Sequence, residues 1–247
     1  MAVRNIKLTV QYDGSSYHGW QIQPGKRTIQ GELVEALSSL VGVRTYVHGA
    51  SRTDAGVSVL GQVALFEIDC PIPTENFPNA INDRLPRDIV VTAAEEVPRG
   101  FDLISGVISK LYRYTIYTGR YRPVLHLNQC WHIHKKLNVV AMKKAAQLLV
   151  GTKDFKSFAS AADKRESSVR TIFRCNVKAE DEWIYIDVEG DGFLYNMVRN
   201  IVGTLVEVGL GRWKPEKINE ILEVKDRAAA GRLAPPQGLC LMWIKYA

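Results

Sequence analysis

Short segments that alternate apolar and polar residues recur along this chain, and helical-period segments with Gly- or Pro-marked ends separate them. That pattern confines the chain to a mixed fold. Ile6-Lys-Leu-Thr-Val-Gln-Tyr12 alternates as a half-buried strand does and stops at Asp13-Gly14-Ser15, a turn signal. Gln62 to Ile68, Asp88 to Ala94, Leu111 to Tyr117, Gln129 to His134 and Leu239 to Tyr246 also read as strands, and β-branched Val41 to Val47 reads as extended. Val169 to Lys178 and Trp183 to Val188 suggest a hairpin around Glu180-Asp181-Glu182. Helices are expected from the N-cap Thr28 to about Leu40, over Pro78 to Asp83, over Asn138 to Val150, over Tyr195 to Val208 and after Pro215. The reading is α+β: two similar α/β halves, residues 1–105 and 106–247, each an antiparallel-type sheet with helices on one face. Two such halves imply a cleft between them.

A chain of 247 residues, 46% hydrophobic and 23% charged, has the composition of a globular protein. No apolar run reaches the length of a membrane span, and Met1 to Lys7 leads into a strand with no signal-peptide core. Cys70, Cys130, Cys175 and Cys240 stand far apart, which fits buried thiols in a reducing compartment; cytoplasm is the expectation. His132 and His134 alternate along a strand like a metal pair, but no third ligand has suggestive spacing, so no metal site is expected. The net charge of +6 is compatible with a polyanionic partner. Lys110, Arg113, Arg120 and Arg122 are interleaved with Tyr112, Tyr114, Tyr117 and Tyr121, and Lys153 to Arg174 forms a second basic stretch. Cations meet phosphates and aromatic rings meet unstacked bases, so RNA suits the pattern; a half-buried strand with tyrosines inward suits it equally.

Ala50-Ser-Arg-Thr-Asp-Ala-Gly-Val57 sits between two extended segments and presents Asp54 two residues from Arg52. A carboxylate in such a loop can be held rigidly with its tip in solvent, as a nucleophile or proton acceptor must be, and the neighbouring cation favours its charged form. The helix from Tyr195 is unusual in another way. Opposite an apolar face, Asn196, Arg199, Asn200 and Gly203 fall at i, i+3, i+4, i+7, where a solvated helix carries Lys and Glu. One cation framed by two amides and a Gly looks like a face pressed against something, with the cleft as one candidate.

Taken together, several segments resemble one family, the tRNA pseudouridine synthases of the A type. They are Tyr12-Asp-Gly-Ser-Ser-Tyr-His-Gly-Trp-Gln-Ile-Gln23, Arg52-Thr-Asp-Ala-Gly-Val57, Gly61-Gln-Val63, Asn82 with Leu85-Pro86 and Asp88-Ile89, and Lys110-Leu-Tyr-Arg-Tyr114. Gly192-Phe-Leu-Tyr-Asn-Met-Val-Arg-Asn-Ile-Val-Gly-Thr204 and Ala234-Pro-Pro-Gln-Gly-Leu239 complete the set, in the family's order and over nearly the whole chain. The resemblance implies an isomerase that converts uridine to pseudouridine in the anticodon arm of tRNA, at nucleotides 38, 39 or 40. It implies a basic cleft between two α/β halves, a homodimer, and neither metal nor organic cofactor.

Carried over by position, Asp54 is the implied catalytic carboxylate, Tyr112 stacks on the uracil and could pass a proton at C5, and Arg199 is the buried ion partner of Asp54. Leu239 packs near the base and excludes water, while Arg52, Arg113 and Asn196 are implied substrate contacts. The chain departs from the family pattern at Ser51, Ser58-Val59, Leu103-Ile104 and Lys153, which bears on which uridines and which tRNAs are accepted. An RNA-binding module without catalysis competes with the enzyme reading. A small-molecule glycoside hydrolase needs a second carboxylate, and none pairs with Asp54 by spacing.

Overall fold

The computed structural model describes residues 3–247; Met1 and Ala2, which begin the segment expected to lead into the first strand, lie outside the described residues. In chain order the elements are β1 (Arg4–Tyr12), α1 (Ile29–Val41), β2 (His48–Gly49), β3 (Ser58–Ile68), α2 (Phe77–Asn82), β4 (Ile89–Val97) and β5 (Val107–Tyr117). There follow β6 (Trp131–His132), α3 (Val139–Gln147), β7 (Gly151–Asp154), β8 (Val169–Glu180) and β9 (Trp183–Gly190). The last are α4 (Met197–Gly209), α5 (Lys217–Val224) and β10 (Leu239–Tyr246). The fold is mixed α/β with mainly antiparallel pairing.

The chain divides into two compact units, Met1–Ile108 with Cys240–Ala247, and Ser109–Leu239. In the first, β1 lies between β4 and β3, antiparallel to both, and β2 adds a short antiparallel pair to β3. A division at residue 105 puts the terminal strand with the second half, whereas from Cys240 onward it belongs to the first unit. The reason is backbone pairing: β10 runs parallel to β3 through Cys240↔Ser58 and Leu241↔Val59. Tyr246 then lies against Phe101, ring centroids 5.0 Å apart, and its hydroxyl donates to the Leu103 carbonyl at 2.7 Å.

Alternation puts Ile6, Leu8 and Val10 of β1 in the core, with Phe66 of β3 set edge-on to Phe77 of α2 at 5.4 Å. Each such side chain contributes on the order of 1.5–3 kcal/mol by leaving water. Helix α1 is delimited by local chemistry at both ends. The Thr28 side chain accepts from Gly31 N, and Gly42 takes φ +76° to close it. Residues 43–47 are not a strand, despite their β-branched content. They are tied down by side chains instead, Ser38 Oγ accepting from Thr45 N at 3.0 Å and Gln30 Nε2 donating to the Val47 carbonyl at 2.7 Å.

In the second unit β9 lies between β5 and β8, β7 pairs with β8, all antiparallel, and β6 runs parallel to β5. The expected hairpin is present, turning at Asp181 with φ +52°. Of the strand expected over Gln129 to His134 only Trp131 and His132 pair. Helix α4 is buried on all sides: every residue from Met197 to Gly209 except Arg199 is buried. Its polar face is therefore pressed against protein of its own unit. Gly203 lies so close to the Arg232 carbonyl that no Cβ fits, and Asn200 Nδ2 donates to the Phe158 carbonyl at 2.8 Å. Among the described residues no helix is long and apolar enough to cross a membrane.

Candidate active site

Asp54 opens a four-residue reversal in the first unit. Val57 N donates to the Asp54 carbonyl at 3.2 Å, and Gly56 at the third position has φ +78°, the left-handed value that a type II turn needs there. The turn is gripped from several directions. Before it, Gln62 of β3 holds Ser51 at both backbone atoms, accepting from Ser51 N at 3.1 Å and donating to its carbonyl at 2.6 Å. Thr53 Oγ1 is 2.8 Å from the Tyr12 hydroxyl, and the Thr53 carbonyl accepts from Trp20 N at 3.1 Å. After it, Gly56 N donates to the Tyr17 carbonyl, and Gly14 passes so close to the Val57 carbonyl that a side chain is excluded.

The Tyr12-to-Gln23 segment is thus a cradle for the Asp54 turn, and this accounts for its residue types. Asp13 caps the short turn over Gly14–Ser16. The Tyr17 hydroxyl donates to Asp88 Oδ1 at 2.6 Å; burial and that acceptor push its pKa above the usual phenol range. Asp54 itself is half-buried between buried Thr53 and exposed Ala55, as a reactive carboxylate on a rigid mount should be. Spacing nominates Arg52 as the cation that keeps Asp54 ionised. Arg52 is instead exposed, with no hydrogen bond or ion pair to any described residue.

The second unit assembles a different group of residues around the turn that joins β9 to α4. Tyr112 on β5 is buried and faces Phe193 edge-on, centroids 5.2 Å apart at 88°. Asn196 precedes α4 in the left-handed region, φ +61°, and its side chain does not cap the helix. Its Oδ1 accepts from Arg199 NH1 at 2.9 Å. Arg199 Nε donates to the Ala234 carbonyl at 2.8 Å, and Ala234 N returns a bond to the Arg199 carbonyl at 3.2 Å. The Arg199 guanidinium is therefore braced on two sides. Residues 234–239 complete the arrangement: the Tyr114 hydroxyl donates to the Pro235 carbonyl at 2.8 Å, and a Cβ on Gly238 would stand 2.6 Å from Tyr114 Cζ. Leu239, next in line, is buried.

Of the residues nominated from sequence, Arg52 and Asp54 lie in the first unit and Tyr112, Arg113, Asn196, Arg199 and Leu239 in the second. Arg113, one residue from Tyr112 on a strand, points to the opposite face. It pairs in bidentate fashion with Asp187, at 2.7 and 2.8 Å, and lies over the Tyr185 ring. The departures from the family pattern are accommodated locally. Ser58 Oγ accepts from Gly14 N at 3.1 Å, Ile104 is 70% exposed, and Lys153 is half-buried. Sequence reasoning missed Gln62 as the clamp on Ser51. The available signal was its register: Gln62 shares an inward face with Ala64 and Phe66, where an amide needs partners.

The family model described as tRNA pseudouridine synthase matches residues 8–103 and 145–247, which include Asp54, Arg199 and Leu239 but not Tyr112. The tRNA pseudouridine synthase A of Thermoanaerobacter sp. is 44% identical over 244 residues, covering 99% of this chain and all of that one. Proteins of the same description from Caldicellulosiruptor saccharolyticus and Ruminiclostridium cellulolyticum are 43% and 45% identical, again over 99% of this chain and the whole of each relative. These alignments run through both the Asp54 cradle and the β5 and α4 region, so the chain belongs to the tRNA pseudouridine synthase family.

Proposed function

We propose that this protein isomerises uridine to pseudouridine in the anticodon arm of tRNA, at nucleotide 38, 39 or 40, with Asp54 as the catalytic carboxylate. The reaction breaks the N1–C1′ bond, turns the uracil while it is held, and forms the C5–C1′ bond; C5 loses its hydrogen and N1 gains one. Asp54 drives it by attacking C1′ or by taking the 2′ proton. Tyr112 stacks on the uracil, Arg199 stabilises charge at the reacting centre, and Leu239 helps exclude water, which would otherwise capture the opened sugar. Extruding the nucleotide costs a few kcal/mol, offset by stacking and phosphate contacts. Exposed Arg52 and Asn196 beside Arg199 are contacts for the RNA, and Arg113 serves through the Asp187 pair. The protein works in the cytoplasm as a homodimer, which light scattering of the purified chain tests.

The observation that carries this reading is the Asp54 mount. Trp20, Gly14 and Gln62 fix the backbone on either side of one half-buried carboxylate, and the Tyr12 hydroxyl holds the Thr53 side chain next to it. A surface aspartate in a turn has no need of that scaffold, whereas catalysis by a positioned group requires it. The test is tritium release from tRNA labelled at C5 of uridine. Asp54→Asn abolishes release and leaves tRNA affinity within a few fold; turnover that persists in this variant removes Asp54 from the role.

A further inference from the structure

Residues 43–48 lead from α1 to β2 and join no sheet before His48, yet their side chains part as those of a strand do. Thr45 and Val47 are buried, while Arg44, Tyr46 and His48 are exposed. The Arg44 guanidinium lies over the Tyr46 ring, 5.2 Å from its centroid, and Tyr46 is still 55% exposed. A single exposed tyrosine needs no explanation. This pair, however, is mounted on the same supports as the Asp54 turn. Gln30 Nε2 donates to the Val47 carbonyl at 2.7 Å, while Gln30 Oε1 accepts from Ile22 N at 2.9 Å and from Gln21 Nε2 at 2.8 Å. One buried amide thus ties the segment to the Asp54 cradle. Trp20 makes a second tie: its N donates to the Thr53 carbonyl at 3.1 Å, and its ring packs so closely on Gly49 that no Cβ fits there. Past buried Ala50 and Ser51 the exposed line resumes at Arg52, two residues before Asp54.

A guanidinium plane and a tyrosine ring each offer a flat face to an unpaired base, and the cation also answers a phosphate. A stacked pair held rigidly loses little freedom when a base arrives, so the contact keeps most of its strength. We infer that Arg44, Tyr46 and His48 form a docking surface for unpaired RNA, with one base stacked on the Arg44–Tyr46 pair. This rests on the isomerase function proposed above and adds a second point of attachment beside the target uridine. Tyr46 and Asp54 are eight residues apart in sequence, a separation that spans at most ~29 Å even when fully extended. At ~3.4 Å per stacked nucleotide, the docked base lies within about eight nucleotides of the uridine at Asp54. Because Gln30 and Trp20 hold the surface and the turn together, Arg44 and Tyr46 are positioning residues for the RNA.

The test is a cycle between protein and RNA. An anticodon stem-loop RNA with one target uridine is made intact, and again with a single abasic nucleotide at each unpaired position in turn. Filter binding gives the Kd of every RNA for the wild type, Tyr46→Phe and Tyr46→Leu. At one unpaired position, loss of the base weakens binding to the wild type and to Tyr46→Phe about 5-fold or more, the ordinary worth of a base stacked on an aromatic ring. The same loss costs Tyr46→Leu less than about 2-fold. If every abasic RNA costs the three proteins the same factor, the docking surface is overturned. Arg44→Gln lowers the slope of log affinity against log salt by about 0.7, the share of one phosphate on single-stranded RNA, and an unchanged slope removes Arg44 from the surface. Both side chains are exposed, and equal urea midpoints check that the variants fold as the wild type does. Tritium release by the wild type on the intact RNA is followed in parallel. Its absence refutes the isomerase reading while the Kd cycle still reports on the docking surface; normal release with no position-specific loss refutes the docking surface alone.

Discussion

Gly19 and Thr53 touch through their backbones. A Cβ built on Gly19 would lie 2.6 Å from the Thr53 carbonyl and 3.1 Å from the Asp54 carbonyl carbon, and Gly19 has φ +86°. The cradle therefore depends on a missing side chain as much as on hydrogen bonds. Gly19→Ala suffers both left-handed strain and a clash against backbone, which together cost about 2–4 kcal/mol. Gly25 is the control: its φ is +67° and nothing lies within 4 Å of the added Cβ, so Gly25→Ala costs only the strain, about 1–2 kcal/mol. Urea midpoints compare the two, and tritium release measures displacement of Asp54. Equal losses in the two variants show that close approach does not hold the turn.

Asn196 joins two functions that substitution can separate. Its backbone needs the left-handed region, and its side chain braces Arg199. Asn196→Gly keeps the backbone content and removes the brace. Stability should stay within about 0.5 kcal/mol, while kcat falls roughly 10-fold with little change in KM for tRNA. Asn196→Ala loses the brace and adds about 1–2 kcal/mol of strain. If Asn196→Gly retains full kcat, Arg199 does not depend on Asn196 for its position.

Much of this was legible because its causes are local. The cap at Thr28, the hairpin around Asp181 and the terminal strand Leu239–Tyr246 each follow from a few adjacent residues. What the sequence concealed depends on partners far along the chain. Asn196, Arg199, Asn200 and Gly203 stand out by spacing as a face that packs, yet nothing nearby names residues 231–234 and Phe158 as its neighbours. Val43 to Val47 have strand propensity but no strand to pair with, so side chains from α1 hold them. Strand β7, Gly151–Asp154, carries no apolar alternation and exists through pairing with β8. The candidate site was nominated from residue types alone, at Asp54, Tyr112 and Arg199. The supports that fix them, Gln62, Gly19, Phe193 and Asn196's bond to Arg199, required coordinates.

The thiols give a test of burial in the second unit that does not depend on activity. Cys130 and Cys175 are buried, while Cys70 and Cys240 are partly exposed. Burial pushes the Cys175 thiol up to about 12 from an ordinary value near 9, and it raises Cys130 as well. Only the thiolate attacks a disulfide reagent, so Cys70 and Cys240 react quickly in the native protein; Cys130 and Cys175 react at the rate of unfolding. The same shift predicts a pH effect. Between about pH 9 and 12 the unfolded chain has lost the Cys175 proton and the folded chain retains it, so the folded state binds more protons. Stability then falls as pH rises, by about 1.4 kcal/mol per unit from this group. Cys175→Ala lowers stability at neutral pH through the cavity it leaves, and it flattens the alkaline slope by that amount. Denaturant melts of both proteins from pH 8 to 10.5 measure the difference. Parallel curves, or early labelling of Cys175, would show that this thiol is open to solvent and that β8 does not pack as described.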